Sequence, residues 1–122
     1  TNKLGWLSRQ LLDALDLSGR FAAVVGADEV VNRKPHADHV RAAIRAAGGE
    51  AMRSLMVGDS INDVQAAHAA GIPCLIATFG YTDIPPEALG ADAVFDAYAD
   101  LPALAARLLP TEKRPAGGPA GR

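Results

Sequence analysis

The 122-residue chain reads as an α/β fold, a parallel sheet with helices on its faces. Three observations predict it. Short apolar runs of four or five residues recur without polar alternation, the mark of strands buried on both faces. Between them lie stretches whose Leu, Val and Ala fall at three- and four-residue spacings, the mark of amphipathic helices. Gly and Pro stand at the junctions, and strands alternating with helices imply parallel pairing.

Leu4, Leu7, Leu11 and Leu15 outline a first helix that exits through Leu17-Ser18-Gly19. Phe21–Val25 is an apolar run rich enough in Val and Phe for a buried strand. Pro35 breaks the chain, and a second helix follows with Val40, Ala43, Ile44 and Ala47 on one face and Gly48-Gly49 as its stop. Ser54–Val57 is the next strand, and a helix from about Asn62 to Ala70 ends at Gly71. Pro73 leads into a strand over Cys74–Thr78, and Pro85–Leu89 is a short helical turn. Ala93–Phe95 is a last short strand, and Leu101, Leu104 and Leu108 mark the final helix.

The formal net charge of −2 leaves no electrostatic footprint for nucleic acid or an anionic membrane, and the short apolar runs include no transmembrane span. The single cysteine, Cys74, excludes an internal disulfide framework; it reads as a small buried hydrophobe and suits a reducing cytoplasm. The chain opens Thr-Asn-Lys, with neither an initiator Met nor a signal-peptide pattern, as expected of a part cut from a longer protein. Residues 110–122 are rich in Pro, Gly and charge and are expected to form a disordered tail.

The chemistry concentrates in Val57-Gly58-Asp59-Ser60-Ile61-Asn62-Asp63, an apolar strand running into an acidic, helix-opening loop. Asp59 stands at the carboxyl end of a strand, where open α/β sheets bind ligands, and Asp63 follows at same-face helical spacing. Two like charges so close call for a cation, and an all-oxygen donor set suits Mg²⁺, which takes one or two protein carboxylates plus phosphate oxygens and water. The competing reading is a plain helix start, where aspartates cap free N–H groups and complement the dipole. Two other segments fall at equivalent strand ends: Thr1-Asn2 and Arg33-Lys34-Pro35. A hydroxyl, an ammonium and two carboxylates at one sheet edge make a parts list for phosphoryl transfer.

With these residues the chain, from Thr1 to about Leu109, resembles the C-terminal part of the core of a haloacid-dehalogenase-superfamily phosphatase. Thr1 with Asn2 matches the family's second motif, Lys34-Pro35 the third, and Gly58–Asp63 the fourth, G-D-S-x-x-D. The Gly-Asp opening of that motif argues for a phosphatase rather than a dehalogenase. Phe79-Gly80-Tyr81 and Leu89–Val94 resemble phosphoglycolate phosphatases, although related sugar-phosphate phosphatases and phosphomutases share such endings. The resemblance implies a three-layer, Rossmann-like core. The family's D-x-D motif, which carries the nucleophilic Asp, and the cap domain that selects substrate are both absent from these residues. In the resembled fold the D-x-D strand is central, between the Ser54–Val57 strand and one ending at Thr1, so a two-strand gap is expected beside Phe21–Val25.

By the same resemblance, Asp59 is the Mg²⁺ ligand, and Asp63 orients Lys34 or a metal-bound water. Lys34 contacts the phosphoryl oxygens, and Thr1 donates its hydroxyl to the phosphate with help from the Asn2 backbone N–H. Ser60 and Asn62 are supporting or capping groups, and Gly58 permits close backbone approach. Tyr81 lines the pocket mouth or packs its loop. His36, His39 and His68 form no ligand set and are expected at the surface. The implied function is Mg²⁺-dependent hydrolysis of a small phosphomonoester, 2-phosphoglycolate above all, through an aspartyl-phosphate. The alternatives are a non-catalytic remnant or binding module and a receiver-like signalling domain, whose acidic pair belongs nearer the chain start.

Overall fold

The structure, a computed structural model, describes residues 1–80 and 84–109. The expected tail over 110–122, and Tyr81, lie outside the described residues. Helices α1 (Gly5–Ala14) and α2 (Ala37–Ala46) precede strand β1 (Met56–Gly58). Helix α3 (Ile61–Ala69), strand β2 (Cys74–Ala77), strand β3 (Ala93–Phe95) and helix α4 (Leu101–Leu108) follow. The strands pair in parallel in the order β1-β2-β3, with Val57 opposite Leu75 and Leu75 opposite Ala93.

The alternation of strand side chains builds two apolar layers, one on each face. Met56, Cys74, Ile76 and Val94 point to one face, where α2 and α3 cover them with Val40, Ile44, Val64, Ala66 and Ala67. Leu75, Ala77, Ala93 and Phe95 point to the other, against Leu101, Leu104 and Leu108 of α4. The result is three layers, helices on both faces of a parallel sheet. Every residue of β2 is buried, as its unbroken apolar run requires. Gly48 and Gly71, both at positive φ, end α2 and α3 in the left-handed conformation that residues with a Cβ resist.

Cys74 is free and wholly buried, and burial pushes its thiol up to about 12, so it packs and does not react. Among the described residues no helix is long and apolar enough to cross a membrane.

One expected strand does not form. Phe21–Val25 belongs to no ladder, and Phe21 is half exposed. Strand structure belongs to a pair, and no described strand lies beside this segment. Its carbonyls bond elsewhere: Arg9 donates to that of Val24 at 3.4 Å, and the Thr1 nitrogen and His39 Nε2 each lie 3.1 Å from that of Val25. Just beyond the segment the Ala27 N–H donates to the Lys3 carbonyl at 2.9 Å. Helix α1 shares this isolation. It rests on the turn at 27–29, where the Asp28 carboxylate accepts the Gly5 N–H at 2.7 Å and Arg9 pairs with Glu29 at 2.6 Å. Its leucines remain largely open, with Leu11 50% and Trp6 57% exposed.

Candidate active site

β1 delivers Gly58 and Asp59 to the carboxyl-terminal edge of the sheet, and α3 begins immediately afterwards. The Asp63 carboxylate folds back over that junction. Its Oδ2 accepts the N–H groups of Asp59 at 3.0 Å and Ser60 at 3.3 Å, together with the Ser60 hydroxyl at 3.2 Å. These bonds satisfy donors that a helix start leaves open. Gly58 is required here, because a Cβ at that position would overlap the Asp63 carboxylate.

The other Asp63 oxygen reaches across the sheet edge. Lys34 Nζ donates to Asp63 Oδ1 at 2.6 Å, joining two residues 29 positions apart. Both side chains are largely buried, and Asp63 is only 5% exposed. Burial pushes the Asp63 carboxyl up, but the bonds from Lys34, the Asp59 amide and Ser60 together outweigh it and hold the group below its ordinary value. The sign follows. A depressed carboxyl contributes stability that is complete above the ordinary aspartate value of 3.8 and is lost only as pH falls through the lower folded value. The pair is therefore expected to persist at pH 5 and to break only below the usual aspartate range. A carboxyl ¹³C titration that finds Asp63 protonating above pH 4 contradicts this.

Two further segments meet Lys34. The Asn2 side-chain amide donates to the Lys34 carbonyl at 3.4 Å. Thr1 and Lys34 line a common cavity of about 340 Å³ that continues between α2 and the open edge of β1, past His39, Ile44 and Met56. Thr1 Oγ1 accepts the Lys3 N–H at 3.1 Å and retains a hydroxyl hydrogen to donate.

Asp59 opens onto a separate recess of about 560 Å³ with Phe79, Gly80, Phe95 and Tyr98 around it. A Cβ on Gly80 would overlap the Asp59 side chain, so the Phe79-Gly80 pair is fitted to this carboxylate. Phe79 packs edge-on to both Phe95 and Tyr98, with ring centroids 5.7 and 5.1 Å apart. The Leu89–Val94 segment is structural and sits elsewhere. The Asp92 carboxylate accepts the Cys74 N–H at 2.7 Å and meets His68 Nε2 at 2.8 Å.

The structure thus links Asn2, Lys34, Asp63 and Asp59 through successive contacts, with Thr1 beside Lys34. Ser60 caps α3. The three histidines separate. His36 caps α2 by accepting the Asp38 N–H at 3.1 Å, and His68 is exposed. His39, expected at the surface, is instead 2% exposed. Its imidazole lies between the Lys34 loop and Val25. The signal was present in its four-residue offset from Ala43, which puts it at the edge of the apolar stripe of α2.

Among the described residues no three His, Cys, Asp or Glu side chains form a metal cluster. Mg²⁺ needs no such cluster, because one or two protein carboxylates suffice when phosphate and water complete the shell. Asp59 supplies a hard oxygen donor at the strand end, while the Lys34 ammonium is engaged by Asp63. This donor set fits the ion.

The family model for haloacid dehalogenase-like hydrolases matches residues 1–77. The chain belongs to the haloacid dehalogenase-like hydrolase family. It is 49% identical over 109 residues to the phosphoglycolate phosphatase of Caulobacter vibrioides, covering 89% of this chain and 46% of that protein. To the phosphoglycolate phosphatase of Agrobacterium fabrum it is 47% identical over 110 residues, covering 89% of this chain and 47% of the relative. Among solved structures it resembles a predicted phosphoglycolate phosphatase from Haemophilus somnus, with a TM-score of 0.71 and 31% identity over 79% of this chain and 43% of that one. The chain spans about half the length of the curated relatives it matches.

Proposed function

We propose that these residues form the phosphate-binding half of the active site of a Mg²⁺-dependent phosphomonoester hydrolase acting on 2-phosphoglycolate. The reading rests above all on the Lys34–Asp63 pair, held at 2.6 Å at the carboxyl-terminal sheet edge and joined to Asp59 through its amide. Asp63 offsets the cost of burying the Lys34 ammonium, and the pair holds that cation at the sheet edge, where it suits a phosphoryl group, the anion that the phosphatase relatives handle. The substrate comes from the relatives, which are named phosphoglycolate phosphatases. The cytoplasm, where a lone thiol stays reduced, is the proposed setting.

In this proposal Lys34 contacts the phosphoryl oxygens and offsets the charge that develops on them. Asp63 holds the ammonium in place and lowers its freedom to follow solvent anions. The Thr1 hydroxyl and the Asn2 N–H donate to the same phosphate. Asp59 would hold Mg²⁺, which when bound supplies positive charge to the phosphoryl oxygens. In the resembled phosphatases the attacking carboxylate belongs to a D-x-D motif, which these residues lack and the full-length protein would have to supply.

The test is anion affinity in the full-length protein. Lys34→Ala is expected to weaken inorganic phosphate or vanadate binding at least tenfold, while Arg107→Ala on the exposed end of α4 leaves it unchanged. Equal losses from both variants would reduce Lys34 to general surface charge.

A further inference from the structure

Lys34 is held at more than its ammonium. Its N–H donates to His39 Nδ1 at 3.1 Å, and on the far side of the ring His39 Nε2 lies 3.1 Å from the Val25 carbonyl. The two partners fix the tautomer. A peptide N–H can only donate, so Nδ1 carries no hydrogen; a carbonyl can only accept, so Nε2 carries it. The imidazole is neutral, and both its nitrogens are used. The ring is buried to 2% exposure, so its own nitrogens depend on these two partners.

This ring connects three parts of the chain that share no regular secondary structure: the end of the Phe21–Val25 segment, the Lys34 loop and the first turn of α2. With Asn2 on the Lys34 carbonyl and Asp63 on Nζ, the residue is tied at its nitrogen, its oxygen and its ammonium. The same Val25 carbonyl also receives the Thr1 nitrogen at 3.1 Å, so both phosphate-facing segments hang on one hub.

We infer that His39 is a positioning residue: its Nε2-protonated imidazole fastens the Lys34 backbone to Val25 and thereby aims the ammonium at the phosphate. The inference rests on the reading of Lys34 as the phosphate-binding cation. Burial lowers the imidazole below its ordinary value, with the Val25 bond opposing the effect and the charge of Lys34 adding to it. That direction supports a ring kept neutral in use. What marks the ring out is where its two bonds go: one to the backbone of the residue that carries the ammonium, the other to the carbonyl that also receives the Thr1 nitrogen.

Three substitutions in the full-length protein separate these roles. His39→Leu keeps the bulk and removes both bonds. His39→Asn restores an acceptor near the Nδ1 position, and His39→Gln restores only a group near Nε2. Hydrogen exchange at the Lys34 amide is expected to accelerate at least tenfold in His39→Leu and His39→Gln and to return towards wild type in His39→Asn. Vanadate affinity is expected to follow the same order, falling about ten- to a hundredfold for Leu, the scale of a misplaced catalytic group. Equal losses for Leu, Asn and Gln, or an unchanged exchange rate in Leu, overturn the inference. Where the Leu variant fails to fold, ¹⁵N imidazole shifts of the wild type decide: a hydrogen on Nδ1 at neutral pH overturns it. Lys34→Ala run alongside keeps the two readings distinct. Unchanged vanadate binding in that variant rejects Lys34 as the phosphate cation, while the exchange and tautomer data still judge His39.

Discussion

Asp59→Asn in the full-length protein is expected to lower Mg²⁺-dependent phosphatase kcat/KM by about a thousandfold or more while leaving the fold intact. The size follows from the loss of a metal carboxylate, worth several kcal/mol in such sites. The intact fold follows from the surroundings. Asparagine has the shape of aspartate, so it fits the space beside Gly80, and the Asp59 backbone N–H still reaches Asp63. Two measurements check it together. Turnover should vanish, and the rise in melting temperature on adding Mg²⁺ should vanish with it. Activity within about threefold of wild type removes Asp59 from the metal site, whatever the thermal shift.

The second large effect concerns residues 1–122 expressed alone. They are expected to show partial helicity, weak cooperativity and no phosphomonoester turnover with Mg²⁺. The reason lies in what is left uncovered. β1 ends the described sheet with an edge facing a cavity, and Phe21–Val25 has no ladder beyond it. α1 leaves Leu11 and Trp6 half open, so its amphipathic face has little to bury against. Unpaired edges and open apolar faces favour aggregation or strand re-pairing over one cooperative transition. Urea unfolding followed by circular dichroism, beside a phosphate-release assay, tests both halves. A single sharp transition contradicts the folding claim, and release that depends on Asp59 contradicts the other.

The layered half of the fold was legible in local pattern. The runs at 74–77 and 93–95 are strands because unbroken apolar residues fit a sheet buried on both faces, and the structure pairs them in parallel. The glycine stops at 48 and 71 appear where the sequence placed them. The Gly58–Asp63 string also carried its own geometry. A strand running into a helix puts Asp59 at the sheet edge, and a four-residue step lets Asp63 fold back on the junction.

What the sequence determined by itself, then, is the set of elements whose structure depends on near neighbours, and the family motifs within them. Tertiary structure decided everything that needs a second segment. Phe21–Val25 has strand composition yet no strand, because a ladder requires a partner that lies at no fixed distance along the chain. His39 has the polarity of a surface residue and lies buried, because the loop carrying Lys34 and the Val25 carbonyl close on its two nitrogens from opposite sides. Local polarity sets the cost of burying such a ring; only the folded chain supplies the two hydrogen bonds that offset it.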